Sequence, residues 1–289
     1  MANTIERRQR RYERMFDNRS EQGTRFETRR RGAASASTPN LAEDKFDVAP
    51  ARAASTQTAA LDPQAMQELF GHVVDTAGLE TLSGRALLDE LRRRFYAKHV
   101  TLDYSTARRF MFTQVDNQAG DVRDVYTGRV ITDVTRIPRA DGGESFNTEH
   151  TWPQSQLKRA GKGAAVSDLH HLFPVDTFAN GKRGSFPFGQ VQQVEWEKNG
   201  AKLGRDADGD VVFTPPPDHR GDVARAMFWI STAYGLPINN EEEAVLREWA
   251  NEDPVDAREQ ERNSRIADVQ GDLNPFVVAP QFIEQVADF

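Results

Sequence analysis

From Asp62 to Gly78 the apolar residues recur at helical intervals. Met66, Leu69, Phe70, Val73 and Val74 stand at i, i+3, i+4, i+7 and i+8. Asp62-Pro63 supplies an N-cap followed by proline at the first helical position, and Gly78 supplies the stop. The spacing predicts a second helix from near Ser83, burying Leu87, Leu88, Leu91 and Phe95, and a third across Ser105–Val115 with Ala107, Phe110 and Met111 inward. The period then shortens. After a turn at Asp116–Gly120, Val122–Tyr126 and Val130–Val134 read as short strands about Thr127-Gly128. Val191–Trp196 and Val211–Phe213 predict another β pair. Beyond Pro215-Pro216-Pro217 the pattern is helical to the end. Asp222–Tyr234 carries Val223, Met227, Ile230 and Tyr234 on one face and is closed by Gly235. Asn240–Ala250 opens on Asn240 and Glu243, a capping-box-like pair, and Pro254–Gln270 stops at Gly271. Helices around a small strand-rich centre give the class α+β.

The first 60 residues are different in kind. Ten arginines fall between Arg7 and Arg31, against five acids from Glu6 to Glu27, and Ala/Ser/Thr-rich stretches follow with little to bury. This composition predicts a disordered arm over 1–60 and one folded domain over 61–289. No apolar core of a signal peptide follows the basic stretch, and no run of about 18 apolar residues occurs anywhere. The expectation is therefore synthesis in the cytoplasm, no membrane partner, and, for any role outside, export or packaging by a route without a signal peptide. The absence of cysteine excludes disulfides, thiolate metal sites and a cysteine nucleophile. The formal charge of −7 is uneven: residues 1–60 carry net +4 and residues 191–289 net −11. Net charge alone does not point to nucleic acid, so any such partner has to be argued from local sites.

Three of the six histidines lie in one short window. It reads Phe146-Asn147-Thr148-Glu149-His150-Thr151-Trp152-Pro153-Gln154-Ser155, then a basic loop with Lys158, Arg159 and Lys162. Ser167-Asp168-Leu169-His170-His171-Leu172-Phe173-Pro174-Val175-Asp176 follows, and then Asn180-Gly181-Lys182-Arg183. The pattern predicts a strand, a cationic loop, a second strand rich in histidine and a short helix bearing an asparagine. A base, hard oxygen ligands and cations brought together in this way are the parts needed to hydrolyse a phosphodiester with one divalent metal.

These stretches resemble the endonuclease I family, ββα-metal (His-Me finger) nucleases of bacteria. Val125-Tyr126-Thr127-Gly128 upstream, and Arg220–Phe228 and Asp272-Leu273-Asn274-Pro275-Phe276 downstream, extend the resemblance over roughly 65 to 279. The resemblance implies a ββα-metal finger core embedded in a mostly helical domain. It implies a largely sequence-non-specific endonuclease acting on DNA, with RNA left open as a substrate, and yielding 5′-phosphates. Mg²⁺ is the implied cofactor, with Mn²⁺ or Ca²⁺ as substitutes. His150 matches the general base, and Glu149 and Asn180 match the metal ligands. From the inter-strand loop the resemblance implies a phosphate-holding arginine, assigned to Arg159 with Arg183 behind it. Asp168, His170, His171 and Lys162 are assigned to supporting or substrate-binding roles.

Two departures stand out. Where the family has a second asparagine after the Asn-Gly-x-Arg run, this chain has Ser185. Neighbours on a regular strand also point to opposite faces, so Glu149 and His150 share one site only if the strand end is irregular, for which Pro153 is the candidate cause. Asp206, Asp208 and Asp210 have the first spacings of a calcium loop. Gly209 and Pro217 stand where that loop needs other residues, so a solvated hairpin tip is expected. Two other functions remain open. One is a catalytically silent nucleic-acid-binding or virion-type protein, with the arm docking a delivery, packaging or inhibitor partner. The other is a zinc phosphoesterase built on His150, His170 and His171.

Overall fold

Asp103 starts the helix that later faces the site. Its Oδ1 accepts from the Thr106 N–H at 2.9 Å, capping α2 (Tyr104–Phe110). Before it lies α1 (Gly84–Phe95), which buries Leu87, Leu91 and Phe95 on one stripe. The computed structural model describes residues 74–138 and 146–289, all within one compact unit, Thr58–Phe289. The expected arm and nearly all of the expected 62–78 helix lie outside the described residues.

The third predicted helix is split. α2 ends at Phe110 and one π-helical turn, Met111–Val115, continues it. β1 (Asn117–Gln118), β2 (Asp121–Arg123) and β3 (Val130–Ile131) then form a small antiparallel sheet in that order. β4 (Phe146–His150) pairs antiparallel with β5 (Leu172–Asp176), Glu149 opposite Phe173 and His150 opposite Leu172. α3 (Gln154–Arg159) and two 3₁₀ turns, Gly163–Ser167 and Leu169–His171, connect them. α4 (Thr177–Arg183) follows β5 without a loop, because Asp176 Oδ1 accepts from the Phe178 and Ala179 N–H groups at 2.9 and 3.0 Å.

A third antiparallel sheet has the order β6 (Gln193–Lys198), β7 (Ala201–Arg205), β8 (Val211–Thr214). The expected direct pair between its outer strands does not form, since β7 lies between them. β7 carries Gly204 where a Cβ would run into the Gln193 carbonyl oxygen. That glycine permits close strand approach, yet reads locally as a loop residue. Asp206–Asp210 is the hairpin tip expected, with the Asp208 and Asp210 N–H groups donating to Asp206 Oδ1 at 3.0 and 2.9 Å.

The C-terminal part is helical as expected: α5 (Arg220–Tyr234), α6 (Asn240–Glu252), α7 (Ala257–Gln270), α8 (Pro275–Val278) and α9 (Phe282–Gln285). α6 is capped one residue earlier than the spacing suggested, Asn239 Oδ1 accepting from the Glu242 N–H at 2.8 Å. α5 is buried nearly all round, from Val223 to Tyr234, rather than on one face. It is the central helix against which α1, α6, α8 and the Leu169–His171 turn pack.

Candidate active site

β4 pairs with β5 in regular register as far as His150, where the strand ends and the chain bends toward α3. Glu149 and His150 take opposite faces. Glu149 is buried; its Oε1 accepts from the Tyr126 hydroxyl at 2.9 Å and lies 3.1 Å from Arg183 Nε. Burial raises its pKa above the usual carboxylate range, although Arg183 and the Tyr126 hydrogen bond act the other way. Both contacts fall on Oε1. Among the described residues no hydrogen bond engages Oε2.

His150 faces the opposite way. Its Nε2 lies 3.1 Å from the Val166 carbonyl oxygen, an acceptor only, so Nε2 carries the proton and Nδ1 the lone pair. The ring packs edge-on to His171 at 5.6 Å and against Tyr104 at 5.4 Å. Burial, with the neighbouring His171 adding to it, lowers its pKa to about 3. The ring is neutral near pH 7.

α4 lies across β4 and holds it from the back. Asn180 Nδ2 donates to the Thr148 carbonyl oxygen at 3.1 Å, and one turn on, Arg183 Nη2 donates to the Thr151 carbonyl oxygen at 2.7 Å. Arg183 also donates to the Gly184 carbonyl oxygen at 2.9 Å and lies over the Phe188 ring, 4.6 Å from its centroid. It is buried, and both of its hydrogen bonds go to carbonyls of this chain.

The turn that holds His150 is itself held. His171 Nε2 bonds the Ala165 carbonyl oxygen at 2.7 Å, next to the Val166 carbonyl that receives His150. Burial lowers the His171 pKa to about 4, against the pull of Asp168. His170 and His171 sit in a 3₁₀ turn and not on the expected second strand, because Asp168 Oδ1 caps that turn by accepting from the His170 N–H at 3.0 Å. Asp168 also accepts from Trp229 Nε1 (2.9 Å), the Tyr234 hydroxyl (3.0 Å) and Gln270 Nε2 (2.9 Å). Burial alone would raise its pKa; His170, His99 and His171 outweigh that and hold it at about 2. His170 stacks edge-on to Trp229 at 5.1 Å, with Nε2 3.6 Å from Asp272 Oδ1. Neither Asp168 nor His170 contacts His150.

The loop cations are dispersed. Arg159 is exposed at the end of α3, and no contact among the described residues joins it to Glu149, His150 or Asn180. Lys158 is also exposed, and its Nζ donates to Gln154 Oε1 at 3.0 Å. Lys162 is half-buried beside the Gly163–Ser167 turn. A cation that the spacing did not suggest is closer to the surroundings of His150. Arg108, half-buried on α2, donates from Nε to Thr148 Oγ1 at 2.9 Å, and Thr148 shares a strand face with His150. Its guanidinium lies 6.0 Å from the Tyr104 ring and has no carboxylate partner among the described residues. Tyr104 and Arg108 stand at i, i+4, which marks a shared helix face; nothing local says which strand that face meets.

No group of three or more histidine, aspartate or glutamate side chains able to hold a metal occurs among the described residues. His150, His170 and His171 therefore do not form a zinc cage there. Glu149 and Asn180 offer a carboxylate and an amide oxygen, both hard donors. The raised pKa of Glu149 marks a carboxylate whose charge its neighbours do not fully offset, a donor set that suits a cation keeping several waters.

A family model described as Endonuclease I matches residues 84–281. The chain is 29% identical over 229 residues to an extracellular ribonuclease of Bacillus subtilis (strain 168), covering 72% of this chain and 76% of that one. It is 30% identical over 130 residues to a periplasmic deoxyribonuclease of Aeromonas hydrophila, covering 44% and 55%. It is 31% identical over 111 residues to Endonuclease-1 of Buchnera aphidicola subsp. Acyrthosiphon pisum (strain APS), covering 38% and 44%.

Proposed function

The chain belongs to the endonuclease I family of the ββα-metal nuclease superfamily, and from that premise we propose that it hydrolyses phosphodiester bonds of nucleic acid with little sequence preference, using His150 as general base and one divalent metal. The observation that carries this reading is the Nε2–Val166 bond, which leaves His150 Nδ1 as the proton acceptor. A water aligned with phosphorus would lose its proton to Nδ1. The T-packed ring of His171 and the Tyr104 ring keep the imidazole from turning.

Glu149, through Oε2, and Asn180, through its amide oxygen, would hold Mg²⁺, leaving the remaining positions to water and phosphate oxygens. When bound, the metal would neutralise charge on the phosphate and on the leaving oxygen. Arg183 holds Glu149 in place rather than meeting substrate. Arg108, tied to Thr148, would hold the scissile phosphate, the role first assigned to Arg159. β4, β5 and α4 then correspond to the ββα finger of the superfamily. The relatives named extracellular and periplasmic support a role outside the cytoplasm. Their names include both ribonuclease and deoxyribonuclease, so either nucleic acid is a candidate substrate.

Plasmid DNA and a structured RNA, each incubated with Mg²⁺ and with EDTA, test the reading. Cleavage of at least one in Mg²⁺ alone is expected. His150→Ala should slow it by about 10²–10⁴-fold while the protein stays folded. Cleavage at the wild-type rate by His150→Ala would sink the mechanism. No cleavage by the wild type would favour the silent binding protein.

A further inference from the structure

α4 carries a second feature on its solvent side. Phe178 is 63% exposed, and Phe186, just past the helix, is 40% exposed. Lys182, one turn after Phe178, places Nζ 5.3 Å from the Phe178 ring centroid. Trp196 of β6 meets the Phe178 ring nearly edge-on at 6.4 Å. Trp196 is in turn fixed from below, lying almost parallel to buried Phe213 at 6.5 Å. Val194, on the same strand, is 48% exposed. Single exposed apolar residues are common and need no explanation. Here two touching aromatic rings and a lysine gather at the outer face of the helix whose other face turns Asn180 toward β4. The acidic residues of β6 are paired within their own sheet, Glu195 with Arg205 at 3.5 Å and Glu197 with Lys202 at 3.9 Å. They leave Lys182 as the charge beside the rings.

We propose that Phe178, edged by Trp196 and flanked by Lys182, is a stacking subsite for an unpaired nucleobase of the bound strand, so that single-stranded nucleic acid is the favoured substrate. This rests on the nuclease reading above. A ring of this kind needs a free base face; in a duplex both faces are covered by neighbouring pairs, whereas single strands stack readily on exposed aromatic side chains. The lysine has a flexible stem and can move from the ring to the adjacent phosphate as the base arrives. The acidic net charge of residues 191–289 makes electrostatics alone a weak source of affinity, so stacking supplies a contact that charge does not.

The test uses the full chain and one sequence prepared as a single strand and as a duplex. Relative to the wild type, Phe178→Ala should lower cleavage of the single strand about tenfold more than cleavage of the duplex, and Phe178→Trp should restore the ratio. In a His150→Ala background, adding the single strand should quench tryptophan fluorescence. Trp152, Trp229 and Trp249 are buried, so Trp196 is the ring in contact with solvent and ligand. That quenching should weaken when Phe178→Ala is added. An unchanged cleavage ratio with activity intact overturns the subsite alone. Failure of the wild type to cleave either form overturns the nuclease reading, and the subsite with it.

Discussion

Asp168 and Glu149 are both buried, one in the connection between β4 and β5 and the other on β4 itself, yet their surroundings push them in opposite directions. Asp168 accepts four hydrogen bonds shared between its two oxygens and has three histidines nearby; it stays ionised down to about pH 2. Glu149 has its partners on one oxygen, and burial raises its pKa. A carboxylate whose oxygens are both engaged holds structure together. One that is half-engaged in a buried place retains an unmet demand for positive charge, which a cation can answer. The difference separates an acid that holds the fold together from the one proposed to hold a metal, a distinction the residue type alone does not make.

Exchanging each carboxylate for its amide is the strongest way to break this comparison. Glu149→Gln should reduce Mg²⁺-dependent cleavage by about 10²-fold or more, with a modest change in melting temperature. Asp168→Asn should do the reverse in kind. Trp229, Tyr234, Gln270 and the His170 N–H all donate to Asp168, so an amide nitrogen there faces donors. The cost should be roughly 2–5 kcal/mol, read as a drop in Tm on the order of 10 °C. Equal losses of stability in the two variants would erase the distinction.

A smaller effect sharpens it. His171 has a folded pKa of about 4, below the ordinary value near 6.5, so the unfolded chain binds a proton that the folded chain refuses. Its contribution to stability is present above about pH 6.5 and is lost as pH falls from there toward 4. Denaturant unfolding followed across that range, in EDTA, should show stability decreasing with acid. His171→Gln should flatten the slope; an unaltered slope would show that other groups govern it.

Much of this was legible beforehand because the informative residues are close in sequence. Glu149-His150 and Asn180-Gly181-Lys182-Arg183 sit on β4 and α4, joined by a short local path, and the strand pair and helix around them were expected. The histidine turn was mistaken for strand because Asp168 was not recognised as its cap; the partners that bury Asp168 are 61 to 102 residues away. Arg108 was missed for the same reason, since Thr148 is 40 residues distant. β7 was missed because its Ala201-Lys202-Leu203-Gly204-Arg205 run alternates weakly and its glycine is explained only by the neighbouring strand.

The long reach of Gln270 also sets an order of events. Its amide nitrogen donates to Asp168 and its amide oxygen accepts from the Leu169 N–H at 2.9 Å, 101 residues earlier in the chain. The Leu169–His171 turn, which directly follows the turn presenting the Val166 carbonyl to His150, is thus fastened by a residue near the end of α7. During synthesis, β4, β5 and α4 leave the ribosome well before that fastener exists. On the proposed reading His150 is therefore oriented late, and a nascent chain that ends before α7 should not cleave the messenger it is being read from. Ribosome-bound chains arrested before α7 should leave added RNA and DNA intact, whereas released full-length chains should cut.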